Sequence, residues 1–305
     1  MEMFRAEPWL GIGEIIENAN TSAEVIKLAN LDWHVKQAPS YIEVDGVRIP
    51  TGYTINYKDD DNSILGVVGK NYKVVQNDEA FAFTDELVGN DEMPVSYETA
   101  GMLFGGKMVW MLAKMPSTTI VGDEFERYFL FSNSHDGTSA VRCCLTNIRV
   151  VCKNTLNLAL REAKRSWRYT HAGDLASKIV DAKNTLIYAN EYNKAFAKEA
   201  ERLANEKLTK AETERLIDKM FAIPKDASAR KVNNAEYKRE QFMRAFNEDD
   251  INNFRYTKWG LINSLSDYSY HSSPLRATDS YEDKRMSTLI IPDKKLDEMY
   301  AMVAA

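Results

Sequence analysis

Hydrophobic and polar residues alternate along much of the first half of the chain, as they do in half-buried β-strands. Residues 41–49 alternate around Asp45 and Gly46, a residue pair that favours a two-residue hairpin turn. Residues 53–57 and 65–69 flank a run of acidic turn residues and predict a second hairpin. The first seventy residues are therefore expected to contain antiparallel strands.

Two longer apolar runs, at 107–113 and 128–132, predict strands that are buried on both faces. Asp136 and Gly137 follow the second run, and this pair also suits a tight turn. The turn would lead into residues 138–145 and complete a third hairpin.

The second half of the chain has the three- and four-residue spacing of amphipathic helices, with one further short helix in the first half. Helices are predicted at 77–87, at 174–208, at 234–247 and at 256–268. Asn77 would cap the first of these, and a capping box that begins at Thr209 predicts a further helix. Because strands and helices are segregated rather than alternating, the predicted fold class is α+β. We expect a β-rich domain at 1–170 that ends in a basic helix, followed by a helical region at 171–305.

The composition is that of a globular protein: the chain has 305 residues, 44% of them hydrophobic, and a net charge of −6. This charge excludes a binder of nucleic acid that is basic overall, but not one with a local basic patch. Residues 1–137 carry a net charge of −12, residues 138–170 a net charge of +6, and the remainder balances to zero. A positive island in an acidic protein indicates a binding partner.

The sequence also bears on location. It contains no run of 18 apolar residues, and its first residues lack the charged and apolar regions of a signal peptide. Three cysteines are too few for a disulfide framework and favour reduced thiols. We therefore expect no membrane span and a cytoplasmic location.

The positive island itself predicts a helix that begins near Asn154 and runs to about residue 168. On such a helix its cations share one face while the leucines and alanines share another. Several cations in register without acids can bind the phosphates of a nucleic acid, although a solvated face is the open alternative. The predicted phosphate-binding residues are Arg142, Arg149, Lys153, Arg161, Lys164, Arg165 and Arg168, with Tyr72, Trp110 or Trp167 available to stack on bases.

His135 and Asp136 raise the possibility of a metal-dependent hydrolase, but adjacent residues cannot form a catalytic triad. We expect them to serve the third hairpin. Cys143 and Cys144 would point to opposite faces of a strand, so structural roles are favoured over metal binding. No catalytic constellation, metal site or cofactor site is predicted.

Several motifs occur in an order that resembles the phage/plasmid-like protein family built on domain of unknown function 932. They are Leu65–Asn77, Gly105–Trp110, Ser132–Ser139, Arg149–Leu156, Lys258–Asn263 and the pair Tyr268 and His271. The resemblance covers roughly residues 5–275. It implies a protein of a phage, prophage or plasmid that acts in a bacterial cytoplasm, and it supplies no activity.

A weaker similarity of architecture is to the phage single-strand annealing proteins of the Red-beta kind, on analogy alone. The hypothesis is a single-stranded DNA-binding protein, with RNA as a further option, that acts in annealing or recombination. The alternative is an effector that binds a host protein through its acidic first half. We also expect a homo-oligomer, because the apolar stripe at 175–203 is longer than a small sheet needs as cover.

Overall fold

The computed structural model describes residues 9–16, 18–88, 94–139, 141–151, 153–156, 163–168, 175–291 and 293–305. Antiparallel sheets occupy the first half of the chain and helices the second half, which confirms the α+β class. No helix within these ranges is long and apolar enough to cross a membrane.

The smaller sheet contains the first two predicted hairpins. Its strands are β2 (Val35–Val44), β3 (Val47–Lys58) and β4 (Ile64–Gly69), paired in that order. Asp45 and Gly46 have φ angles of 50° and 78°, the left-handed conformations that the predicted turn requires. Both hairpin predictions are confirmed.

The larger sheet is antiparallel throughout, and seven strands of the described chain belong to it. They are β1 (Gly13–Ile15), β5 (Ser96–Leu103), β6 (Met108–Ile120), β7 (Asp123–Ser134), β8 (Arg142–Arg149), β9 (Asn154–Leu156) and β10 (Ser166–Arg168). The order is β1-β5-β6-β7-β8-β10, and β9 pairs with the same edge of β8 as β10 does. The predicted strands at 107–113 and 128–132 form the centre of this sheet.

The helices of the described chain lie mostly after the sheets. They are α1 (Ser22–Leu28), α2 (Asn77–Phe81), α3 (Asp85–Val88), α4 (Leu175–Asn205), α5 (Lys210–Met220), α6 (Ala229–Phe246), α7 (Lys258–His271), α8 (Tyr281–Ile290) and α9 (Lys294–Ala304). Thr209 caps α5 with the predicted capping box, because its side chain accepts from the amide of Glu212.

Both faces of the large sheet are buried. Cys143 and Cys144 point to opposite faces, as predicted, and each lies in a separate hydrophobic cluster. On the Cys143 side, Phe196 of α4 contacts Phe125 of β7 and Trp259 of α7. Residues from both predicted segments, 1–170 and 171–305, therefore share this cluster, and the division at residue 170 stays a prediction.

The apolar stripe of α4 is used within the chain. Of the described stripe residues, Ala189, Tyr192, Phe196 and Leu203 are inaccessible to solvent, and Leu186 is half-buried. They pack into the same cluster as the sheet, so this part of the stripe covers the sheet within the chain. Self-association through α4 stays a prediction.

The cap predicted for the short helix is wrong. Gln76, not Asn77, occupies the N-cap position of α2. The Asn77 side chain is buried and donates to the carbonyl of Leu31. Its amide is thereby committed to a contact between distant segments, which a local capping rule cannot anticipate.

The predicted basic helix is also wrong where the structure describes it. Residues 154–156 and 166–168 are β9 and β10, two short strands on the outer edge of β8. The amide of Leu145 in β8 donates to the carbonyl of Arg165 at 2.8 Å. An open strand edge requires partners for its backbone groups, and this tertiary requirement overrides helical periodicity.

Candidate nucleic-acid interface

The third hairpin is confirmed, since β7 and β8 pair along their length. Its connection differs from the predicted two-residue turn, because β7 ends at Ser134 and β8 begins only at Arg142. Gly137 has a φ of 82°, a conformation that favours glycine. The longer connection carries the motif Ser132–Ser139 to the end of the sheet.

His135 is buried and fastens this connection to the small sheet and to α2. Its backbone carbonyl accepts from Asn56 at 2.7 Å, and its Nε2 lies 2.9 Å from Oδ1 of Asn77. Because the Asn77 amide nitrogen donates to Leu31, its oxygen must accept, which places the imidazole proton on Nε2. Burial lowers the pKa of His135 to about 4, against the opposing charge of Asp136. The ring is therefore neutral at pH 7.

Asp136 is committed to the backbone of the connection. Its Oδ1 accepts from the hydroxyl of Ser134 at 2.5 Å and from the amide and hydroxyl of Thr138 at 2.9 and 2.6 Å. Partial burial opposes ionisation, but these hydrogen bonds hold the pKa of Asp136 below its usual value. The two residues thus contact different partners, and the geometry does not assemble a nucleophile with a base.

A cleft of about 330 Å³ opens beside this connection. It is lined by Tyr72, Lys73, Val75, Asn133, Ser134, Gly137, Thr138, Ser139 and Arg168. The hydroxyl of Tyr72 donates to the carbonyl of Ser134 at 3.0 Å, which fixes the ring at the cleft wall. Burial, together with the charge of Asp136, raises the pKa of Tyr72, so the hydroxyl stays protonated.

Arg142 and Arg168 stand directly opposite each other on β8 and β10. Like charges in this position repel, and burial together with Arg168 lowers the pKa of Arg142. Nε of Arg142 donates to the hydroxyl of Ser139 at 2.7 Å. Neither guanidinium forms an ion pair with a described carboxylate, and Arg168 is exposed in the cleft.

Arg149 lies elsewhere and is not available to a phosphate. Its side chain is 1% exposed and bonds to Asp123 through Nε at 2.6 Å and to Asp250 through Nη1 at 2.8 Å. It also donates to the Asp250 carbonyl and stacks over Phe254. The prediction that Arg149 belongs to a phosphate-binding surface is therefore corrected, because its charge is neutralised inside the fold.

The other predicted cations do not form one stripe. Lys153 pairs with Glu126 at 3.7 Å, and Arg165 donates to the carbonyl of Leu289 at 3.1 Å. Lys164 is exposed but does not line the cleft. Arg161 lies outside the described residues.

Of the predicted stacking residues, only Tyr72 remains at the cleft. Trp110 of β6 is fully buried with its ring against Gly13 of β1 and Gly101 of β5, so it cannot meet a base. Trp167 packs edge-on against Tyr188. Sequence reasoning missed Lys73 as a lining residue. Its position next to Tyr72, inside the motif Leu65–Asn77, was the available signal.

Within the described ranges, no group of three His, Cys, Asp or Glu side chains is placed to hold a metal ion. No curated protein and no solved structure matches the chain. Residues 64–290 match the pattern of a family described as Domain of unknown function (DUF932). The match includes the connection after β7, the cleft residues Tyr72 and Arg168, and Arg142 beside the cleft. This chain belongs to the DUF932 family.

Proposed function

We propose that this chain binds single-stranded nucleic acid through the cleft beside Arg142 and Arg168. The observation that carries the proposal is the cross-strand pairing of these two guanidinium groups without a described carboxylate partner. Two like charges held opposite each other weaken the sheet, and an anion between them removes that repulsion. A phosphate group fits, because guanidinium groups bind its oxygens through parallel N–H donors.

Tyr72 supports a single strand as the ligand. A base can stack on its ring while the adjacent phosphate meets Arg168, since both residues line the same cleft. Lys73 adds a third cation at the wall. The cleft volume of about 330 Å³ suits one nucleotide rather than a duplex.

The biological setting belongs to the same proposal. The resemblance stated above implies a protein of a phage, prophage or plasmid in a bacterial cytoplasm. Strand annealing or recombination is the task that suits a backbone-directed binder in that setting, because it must accept any sequence.

The test is a titration of labelled single- and double-stranded DNA and RNA oligonucleotides at several salt concentrations. Each phosphate neutralised on a single strand contributes about −0.7 to the slope of log affinity against log salt. A double variant with Arg142→Gln and Arg168→Gln should therefore flatten this salt-dependence slope by about 1.4. Lys164→Gln, an exposed cation outside the cleft, is the matched control and should leave the slope unchanged.

Two results would refute the proposal. If the double variant binds like the parent while Lys164→Gln weakens binding, the contact lies outside the cleft. If the parent shows no salt-sensitive binding to any oligonucleotide, the chain is not a nucleic-acid binder.

The second candidate is a protein–protein function, and it is favoured by the tip of the β2–β3 hairpin. Ile42 pairs with Ile49 and Val44 with Val47, so these four side chains share one face. All four are exposed. The opposite face carries the ion pair of Glu43 and Arg48. An amphipathic hairpin with its aliphatic face in solvent suits a partner surface, either a second copy of the chain or a host protein.

A further inference from the structure

A second and larger cleft lies in the helical half, along one face of α6. Arg230, Asn233, Tyr237, Lys238 and Gln241 line it, at helical spacings of three and four residues. The opposite wall is the connection between α7 and α8, residues 272–280. The cleft, called here the α6 cleft, has a volume of about 840 Å³, within the range of small-molecule sites.

The charges of the α6 cleft have one sign. Arg230, Lys238 and Arg276 line it, and none of its lining residues is acidic. None of the three cations forms an ion pair with a residue in the described part of the chain. An adjoining pocket of about 250 Å³ contains one acid, Asp293, whose carboxylate caps α9. The cleft therefore attracts an anion.

Two polar groups that line the cleft make no hydrogen bond with a described residue. Gln241 is only 7% exposed, and its side-chain amide makes no hydrogen bond with a described residue. The hydroxyl of Tyr268 also makes none with a described residue, and burial raises its pKa to about 12, so it remains a donor. Both groups are therefore available to bond to a ligand that occupies the cleft.

The walls of the cleft are held in place by tyrosines. The hydroxyl of Tyr237 donates to the backbone carbonyl of Ser273 at 2.9 Å, and the hydroxyl of Tyr281 donates to the backbone carbonyl of Ser272 at 2.8 Å. These bonds tie α6 and α8 to the connection between α7 and α8. The aromatic rings thus line a preformed site rather than one that must assemble.

We propose that the α6 cleft binds a nucleoside phosphate. The phosphate would lie among Arg230, Lys238 and Arg276, and the base would stack against the tyrosines. The amide of Gln241 offers both a donor and an acceptor, the pair of groups that a base edge requires. This site shares no lining residue with the cleft beside Arg168, so the inference stands apart from the proposed strand binding.

The experiment is calorimetric titration of the full chain with each of the common nucleoside 5′-monophosphates. Adenosine and inorganic phosphate are titrated separately. We expect at least one monophosphate to bind about tenfold or more tightly than either fragment, because both halves of the cleft are then used. Gln241→Leu preserves the volume of the side chain and should weaken that monophosphate about tenfold.

Charge variants locate the phosphate. Arg276→Gln and Lys238→Gln should each weaken the monophosphate by about tenfold. Lys231→Gln, an exposed cation on the same helix that does not line the cleft, should leave binding unchanged. Thermal melting of each variant checks the fold.

Four outcomes would overturn the inference. The first three are that no monophosphate binds, that inorganic phosphate binds as tightly as the nucleotide, and that Gln241→Leu binds like the parent. The fourth is that the double variant with Arg142→Gln and Arg168→Gln loses nucleotide binding. The last result would place the nucleotide in the other cleft. Failure of oligonucleotide binding with intact nucleotide binding would refute the proposed function alone.

Discussion

Gly66 of β4 lies against the backbone of Asp136, at the point where the small sheet meets the connection after β7. A Cβ atom at Gly66 would stand 2.6 Å from Cα of Asp136 and 2.9 Å from its Cβ. Asn56, the residue paired with Gly66 on β3, donates to the carbonyl of His135. The glycine therefore sets the distance between the two sheets and the position of the candidate interface.

Gly66→Ala should destabilise the chain by about 2 kcal/mol, because the clash is with backbone atoms that cannot rotate away. Gly69→Ala, in the same strand, is the control, since a Cβ there meets nothing within 4 Å. Urea unfolding of both variants measures the difference. Equal stabilities for the two variants would show that the sheets separate at little cost.

His135 should make stability depend on pH between about 6.5 and 4. Its pKa is about 4 in the folded chain and near 6.5 when unfolded, so the unfolded state binds the proton first. Stability is then full above pH 6.5 and falls as the pH drops towards 4, by up to about 3 kcal/mol.

Unfolding of the parent and of His135→Gln at several pH values tests this dependence. The variant lacks the titrating ring and should show a shallower dependence across the same interval, whatever its absolute stability. Parallel curves for the two proteins would contradict a neutral buried imidazole.

Arg149 should govern stability rather than binding. Arg149→Met leaves the carboxylates of Asp123 and Asp250 without their partner and should cost about 3 kcal/mol. Lys153→Gln removes a longer and more exposed pair with Glu126 and should cost less than about 1 kcal/mol. The denaturant midpoints of the two variants measure both losses of stability. A stable Arg149→Met with weakened DNA binding would return Arg149 to the interface.

Tyr72 should contribute to strand binding through its ring. If the proposed function is right, Tyr72→Ala weakens the binding of single-stranded DNA by about 1–3 kcal/mol, the range for a base stacked on an aromatic side chain. Tyr72→Phe keeps the ring, loses only the bond to the Ser134 carbonyl and should bind within a factor of about two. Fluorescence anisotropy with a labelled oligonucleotide measures both. Equal losses in the two variants would assign Tyr72 a purely structural role.

The aliphatic face of the β2–β3 hairpin should promote association of copies of the chain. Ile42→Thr with Ile49→Thr retains β-branched side chains while making the face polar, and should lower the average mass at high protein concentration. Arg48→Gln alters the opposite face and is the control. Light scattering over a concentration series measures the average mass. A parent chain that stays monomeric at every concentration would contradict the prediction.

Local sequence pattern determined the hairpins and most helices. The turn at Asp45 and Gly46 needs left-handed backbone that these residues adopt readily, and the capping box at Thr209 satisfies helix amides by itself. Such features depend on neighbours within a few residues. They could therefore be predicted without knowledge of the rest of the chain.

The candidate interface was only partly predictable. Tyr72, Arg142 and Arg168 were expected to bind nucleic acid, but on the premise of a helix around Arg168 that the structure replaces with strands. Helical spacing cannot bring Arg142 next to Arg168, whereas the pairing of β10 with β8 does so directly.

Tertiary structure alone decided which cations face solvent and which are neutralised. Arg149 and Arg168 are the same residue type within one basic segment, yet Arg149 bonds to Asp123 and Asp250 while Arg168 lines a cleft. Asp250 lies about a hundred residues away along the chain, so no local pattern records that contact. The sequence by itself determined the positive island and the elements around it, and the long-range packing of β8 determined which of its charges remain available.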